Sequence, residues 1–152
     1  VLNLAEPVDV SLYTFLIIYS TAALTIINVL PQPNLFVKAV QAYALMLLLR
    51  LVTLYFVPLN APHHIIPLND PFIEQFFYGQ TRITKDLFFS GHVATVCLLY
   101  LVNPYKKLKL FYLAAIILVS VFIMWQRVHY AIDVMAAPVF AWVSFWLTKK
   151  FL

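Results

Sequence analysis

Residues 35–57, LFVKAVQAYALMLLLRLVTLYFV, decide the class of this chain. Only Lys38 and Arg50 carry charge in that run. At a rise of about 1.5 Å per residue it is long enough, as a helix, to cross the ~30 Å hydrocarbon core of a bilayer. The rest of the sequence agrees with it. The chain of 152 residues is 64% hydrophobic and 11% charged, and its mean hydropathy is +0.91, outside the soluble range. Four further apolar stretches occupy 10–30, 87–102, 108–125 and 130–147. Their Leu, Ile, Phe and Ala content and their lengths predict helices rather than barrel strands. The expected fold class is an all-α integral membrane protein, a polytopic bundle of five transmembrane helices. The first two spans are long, and the last three are at the short end.

Charge is sorted between the two sets of helix ends. Lys38, Lys106, Lys107, Lys109, Lys149 and Lys150 fall at one set, with no acid among them. The positive-inside rule assigns that face to the cytoplasm, and the C-terminus with it. The other face holds every acid (Glu6, Asp9, Asp70, Glu74, Asp86, Asp133), every histidine (His63, His64, His92, His129) and the three arginines Arg50, Arg82 and Arg127. The chemistry is therefore expected on the exoplasmic face. Short proline-marked links join spans on the inner side. One long outer loop, 58–86, contains Pro58, Pro62, Pro67 and Pro71, which forbid a continuous helix. A short interfacial helix is expected near 72–78, where Phe72, Phe76, Phe77 and Tyr78 suit the headgroup zone. The sequence shows no repeat and no second domain, so 1–152 is read as one transmembrane unit. Cys97 is the single cysteine, which allows no internal disulfide and no cysteine-based metal cluster.

Two polar clusters stand at the outer mouths of apolar helices: Ser90-Gly91-His92, and Arg127-Val128-His129-Tyr130-Ala131-Ile132-Asp133. His129 and Asp133 are four apart at a helix start and share a face. A carboxylate that accepts one imidazole N–H fixes the tautomer and leaves the other nitrogen's lone pair to attack. His92, on a second helix at the same face, is placed to protonate a leaving alkoxide. Gly91 permits close backbone approach, and amides at a helix start favour anionic oxygens. The guanidinium of Arg127 matches phosphate oxygens. These are the parts of a phosphoryl-transfer site.

At these residues the chain resembles the type-2 phosphatidic acid phosphatase superfamily, and within it the sphingomyelin-synthase-like branch. Asp86-Leu87-Phe88-Phe89-Ser90-Gly91-His92 corresponds to that branch's Asp-x-x-x-Ser-Gly-His. His129-Tyr130-Ala131-Ile132-Asp133-Val134 corresponds to its His-Tyr-x-Ile-Asp-Val. Arg50-Leu51-Val52-Thr53-Leu54-Tyr55 looks like its second-motif helix, and Pro7-Val8-Asp9 is faintly similar to the end of its first motif. The chain departs from the branch at Thr84-Lys85, where the eukaryotic synthases have Cys-Gly, and at Ala131, which replaces a hydroxyl residue.

The resemblance implies six helices with an exoplasmic site, the family's first helix being absent from this chain. It also implies that His129 is the nucleophile forming a phosphohistidine, that Asp133 orients it, and that His92 is acid and then base. Ser90, Gly91, Arg127, Arg50, Asp86, Lys85 and Tyr130 are the expected substrate-binding residues. Arg50, two turns inside its helix, is expected to meet an acid or a substrate phosphate. Asp86 pairs with Arg82 or Arg50, or caps the following helix. Lys85 contacts phosphate or is a solvated loop lysine, and Glu74 helps select a cationic headgroup or is solvated. No cofactor and no metal is expected. The partners are membrane lipids, with water or a lipid alcohol as acceptor, and not nucleic acid; the sequence leaves the oligomeric state open. A different reading keeps the outer-face histidines as ligands of a metal or haem in a membrane subunit.

Overall fold

The computed structural model describes residues 8–57, 66, 68, 70 and 88–151. Pro7, His63, His64, Glu74, Arg82, Thr84, Lys85, Asp86 and the helix expected over 72–78 lie outside these residues. The described residues form an all-α bundle: α1 (Ser11–Val29), α2 (Pro33–Phe56), α3 (Gly91–Val102), α4 (Lys109–Trp125) and α5 (Ala131–Phe151), with a 3-10 turn at Lys106–Leu108 ahead of α4. Four of these segments, α1, α2, α5 and the 3-10 turn continued by α4, are long and apolar enough to cross a membrane, as in a multi-pass integral membrane protein. The bundle is loosely covered on its outside, where Leu51, Leu110, Ile132 and Met135 expose more than 60% of their surface. In a lipid environment such exposure is solvation by acyl chains.

α3 differs from the expected span over 87–102. Its 12 residues reach only about 18 Å at 1.5 Å per residue, short of the ~30 Å core. It is the innermost helix and packs against each of the other four. Val93, Ala94 and Val96 are fully buried on it. Its start is delayed to Gly91 because Phe89 takes a left-handed backbone, φ 39°, which no helix can include. α5 runs longer than the expected 130–147, to Phe151, and carries Pro138 inside it. Ala137, Ala141 and Ser144 present small buried side chains on α5, which lets α3 and α5 approach closely.

Each end of the bundle has its own polar joint. At one end the Tyr112 hydroxyl of α4 lies 2.7 Å from Thr25 Oγ1 of α1 and accepts from Asn103 Nδ2 at 3.0 Å. At the other end Gln126 Nε2, just past α4, donates to Ser11 Oγ at 2.8 Å and to Asp9 Oδ1 at 3.1 Å. The Ser11 amide also donates to Asp9 Oδ1, at 3.0 Å. Hydrogen bonds from Ser11 hold the Asp9 carboxyl below its usual value, and Gln126 adds a smaller pull in the same direction against slight burial. This second end is where the two histidine clusters lie.

Candidate active site

The turn between α4 and α5 is built first. The amide of Arg127 donates to Met124 O, and that of Val128 to Ile123 O, each at 3.1 Å. Together they satisfy the last carbonyls of α4 in a Schellman-type ending, whose left-handed position usually carries glycine. Here Arg127 occupies it with φ 57°, at a cost of about 1–2 kcal/mol for a residue with a Cβ. Two residues on comes His129, only 6% exposed. Because α5 begins at Ala131, His129 stands just before the helix rather than in its first turn.

Asp133 is the third residue of α5 and fully buried. Its Oδ2 accepts from the Tyr130 amide at 3.0 Å, the carboxylate half of a capping box. The same oxygen lies 3.7 Å from His129 Nδ1, an ion-pair approach that is longer than a hydrogen bond. Oδ1 of Asp133 is buried with no hydrogen-bond partner among the described residues. A buried carboxylate oxygen left in that state favours any rotation that brings an N–H to it. The imidazole and the carboxylate are thus neighbours at ion-pair distance without a direct hydrogen bond between them.

The second cluster is joined to the first through backbone. The Ser90 amide donates to Asp133 O at 3.1 Å, which sets the start of α3 against the start of α5. Ser90 is fully buried, and its hydroxyl caps α3 by accepting from the Val93 amide at 3.5 Å. Ser90 is thus the N-cap of α3. Gly91 follows, and then His92, whose ring meets Phe15 of α1 edge-on with centroids 5.5 Å apart. His92 lines a cavity of about 280 Å³ between α1, α2 and α3, together with Ile18, Tyr19, Met46, Arg50 and Asp70. His129 and Asp133 do not line that cavity; they lie beyond Ser90. Arg50 Nη1 donates to Phe89 O at 2.8 Å, so the expected phosphate ligand is held against the turn ahead of His92. Tyr130 projects outward, 42% exposed, and contributes its amide rather than its ring to Asp133.

Sequence reading did not assign the structural part played by Phe89, by Tyr19 or by the backbone of Tyr130, whose side chain was the expected substrate contact. Phe89 holds the left-handed turn. Tyr19 donates to both carboxylate oxygens of Asp70, at 2.9 and 2.7 Å. Tyr130 acts through its amide. The three-residue spacing of Tyr130 and Asp133 was a visible capping signal; the backbone of Phe89 had none. Among the described residues no three of His, Cys, Asp and Glu come together as a metal-binding group.

Residues 85–150 match the family described as PAP2 superfamily C-terminal. The match supports the PAP2 superfamily, and it spans α3, α4 and nearly all of α5. Every residue of the two clusters falls inside the matched segment, while α1 and α2, and with them Arg50, fall outside it. No curated protein and no solved structure matches the chain.

Proposed function

We propose that this protein is a membrane enzyme acting on lipid phosphate esters, a sphingomyelin-synthase-like phosphotransferase or a lipid phosphate phosphatase. The observation that carries the reading is the bond from the Ser90 amide to Asp133 O inside a PAP2-matched segment. It joins a histidine-bearing helix start to a His–Asp pair.

In this reading Asp133 holds the N–H of His129 Nδ1, and the Nε2 lone pair attacks phosphorus. The P–O bond to the leaving alcohol breaks as P–N forms, and His92 gives its proton to the departing oxygen. In the second step water or a lipid hydroxyl attacks the phosphohistidine. His92 takes that proton back, and the electron pair of the P–N bond returns to His129. Arg127 and the amides at the start of α3 meet the charge on the phosphoryl oxygens; Lys85, Asp86 and Tyr130 complete the surroundings. The apolar walls of the cavity beside His92 suit the lipid portion of the substrate. The positive-inside rule puts this end of the bundle on the exoplasmic face and the C-terminus in the cytoplasm.

Incubation with phospholipid labelled in its phosphate is expected to leave an acid-labile, alkali-stable phosphoprotein. That species disappears in His129→Ala, and Asp133→Asn slows turnover by about 10⁴-fold, as loss of an orienting carboxylate does elsewhere. Undiminished turnover by His129→Ala would falsify the assignment. Added diacylglycerol or ceramide moves the label into a new lipid if the enzyme is a transferase. Label that appears only in water-soluble product, whatever acceptor is supplied, makes it a phosphatase.

A further inference from the structure

Arg50 reaches the site from α2, an element outside the PAP2-matched residues, and among its contacts is one to backbone. Its Nη1 donates to Phe89 O at 2.8 Å, and its guanidinium carbon sits 5.6 Å from the centroid of the Phe89 ring. That ring is fully buried and stacks on Phe140 of α5, with centroids 4.4 Å apart and planes 9° from parallel. Phe89 itself is left-handed, φ 39°. The guanidinium and Phe140 hold in place a turn that the chain would not adopt alone. One residue on, the Ser90 amide is fastened to Asp133 O.

Gly91 supplies the other half. A Cβ placed there would stand 2.4 Å from Arg50 Nη1 and 2.9 Å from Arg50 Cζ. The next nearest atom is again Arg50's, Nε at 3.5 Å. A methyl group on residue 91 and the guanidinium of Arg50 therefore compete for one space.

We propose that Arg50 is a positioning residue: its guanidinium clamps the Phe89 carbonyl and so fixes the angle at which Gly91 and His92 enter α3. Gly91 is the residue that lets the clamp close. This rests on the reading of His92 as the proton donor to the leaving group. It gives Arg50 a role through the backbone, in place of the phosphate contact expected from its sequence position.

The two residues should behave as one unit. Displacing a catalytic group by about 1 Å costs roughly 10²-fold in rate. Arg50→Ala and Gly91→Ala are each expected to lower kcat by about that factor, with KM nearly unchanged. In the Arg50→Ala background, Gly91→Ala should cost nothing more, because the space its Cβ needs has been vacated. Arg50→Lys keeps the charge but loses the fork that spans carbonyl and ring, and it should not restore kcat. Arg50→Gln provides a milder truncation should Arg50→Ala fail to fold.

A phosphate ligand gives another pattern: KM rises, lysine recovers much of the loss, and the Gly91→Ala penalty multiplies with that of Arg50→Ala. Either multiplicative losses or an effect confined to KM overturns the clamp. The same four-protein cycle read as melting temperature in detergent needs no turnover. Gly91→Ala should lower it with Arg50 present and leave it unchanged with Arg50→Ala. A wild type that turns over no lipid phosphate ester defeats the functional reading and leaves this stability cycle still decisive for the clamp. An active wild type with an additive cycle defeats the clamp alone.

Discussion

Arg127 stands where a helix ending of this kind normally carries glycine, two residues ahead of His129. Its left-handed φ of 57° costs stability that a glycine would not, so something else retains the guanidinium there. Arg127→Gly separates backbone from charge. The Schellman bonds persist and the αL cost disappears, so the variant is expected to be as stable as wild type or more stable by about 1 kcal/mol. Its turnover should nevertheless fall if, as proposed above, the Arg127 guanidinium meets the phosphoryl charge. Thermal unfolding and kcat/KM on the same preparation check this; a variant that loses stability instead shows that Arg127 is held by packing. Asp133 illustrates how far such residues were legible beforehand. Its four-residue spacing from His129 suggested that the two are neighbours, and they lie 3.7 Å apart, but the burial of the carboxylate and its bond to the Tyr130 amide come from packing across the bundle. No local pattern encodes them.

Among the elements, α3 departs most from the apolar pattern. Hydrophobicity alone runs on from residue 87, yet the helix opens at Gly91. The interruption is tertiary: Phe89 is seated between Arg50 and Phe140, side chains from two other helices. The opening of α1 is fixed differently, by Asp9 and Ser11 against Gln126, and it carries a pH dependence. Hydrogen bonds depress the Asp9 carboxyl in the folded protein below its usual 3.8. A group depressed on folding stabilises the native state at pH above its unfolded value. That contribution is lost as pH falls through the lower, folded value. The joint between α1 and α4 should therefore be intact at neutral pH and loosen only below pH 3.8. The protection factor of the Ser11 amide in hydrogen exchange, in which the intrinsic pH dependence is divided out, should fall across that window in wild type. In Asp9→Asn it should not change with pH there; a variant that tracks wild type assigns the effect to another group.

At the scale of the whole molecule, the two ends of the bundle carry different side chains. One end carries the Thr25–Tyr112–Asn103 joint and the lysines of α5, and the other carries His92, His129 and Asp133. Orientation is open to direct measurement, because Cys97 is buried, 5% exposed, and gives little background. A cysteine introduced as Val8→Cys, at the histidine end, should react with an impermeant maleimide on intact cells. Lys150→Cys should react only after permeabilisation, and the reverse result would invert the topology.

The sequence by itself determined the membrane class, the approximate spans, the polarity of the two ends and the identity of the two histidine clusters. Composition, hydropathy and motif spacing are properties of the chain read in order. Tertiary structure decided where α3 begins, that Arg50 meets a carbonyl, that Gly91 makes room for it, and that Ser90 joins Asp133. Each of these depends on which side chain from a distant helix fills a given space, and that is settled only when the helices pack.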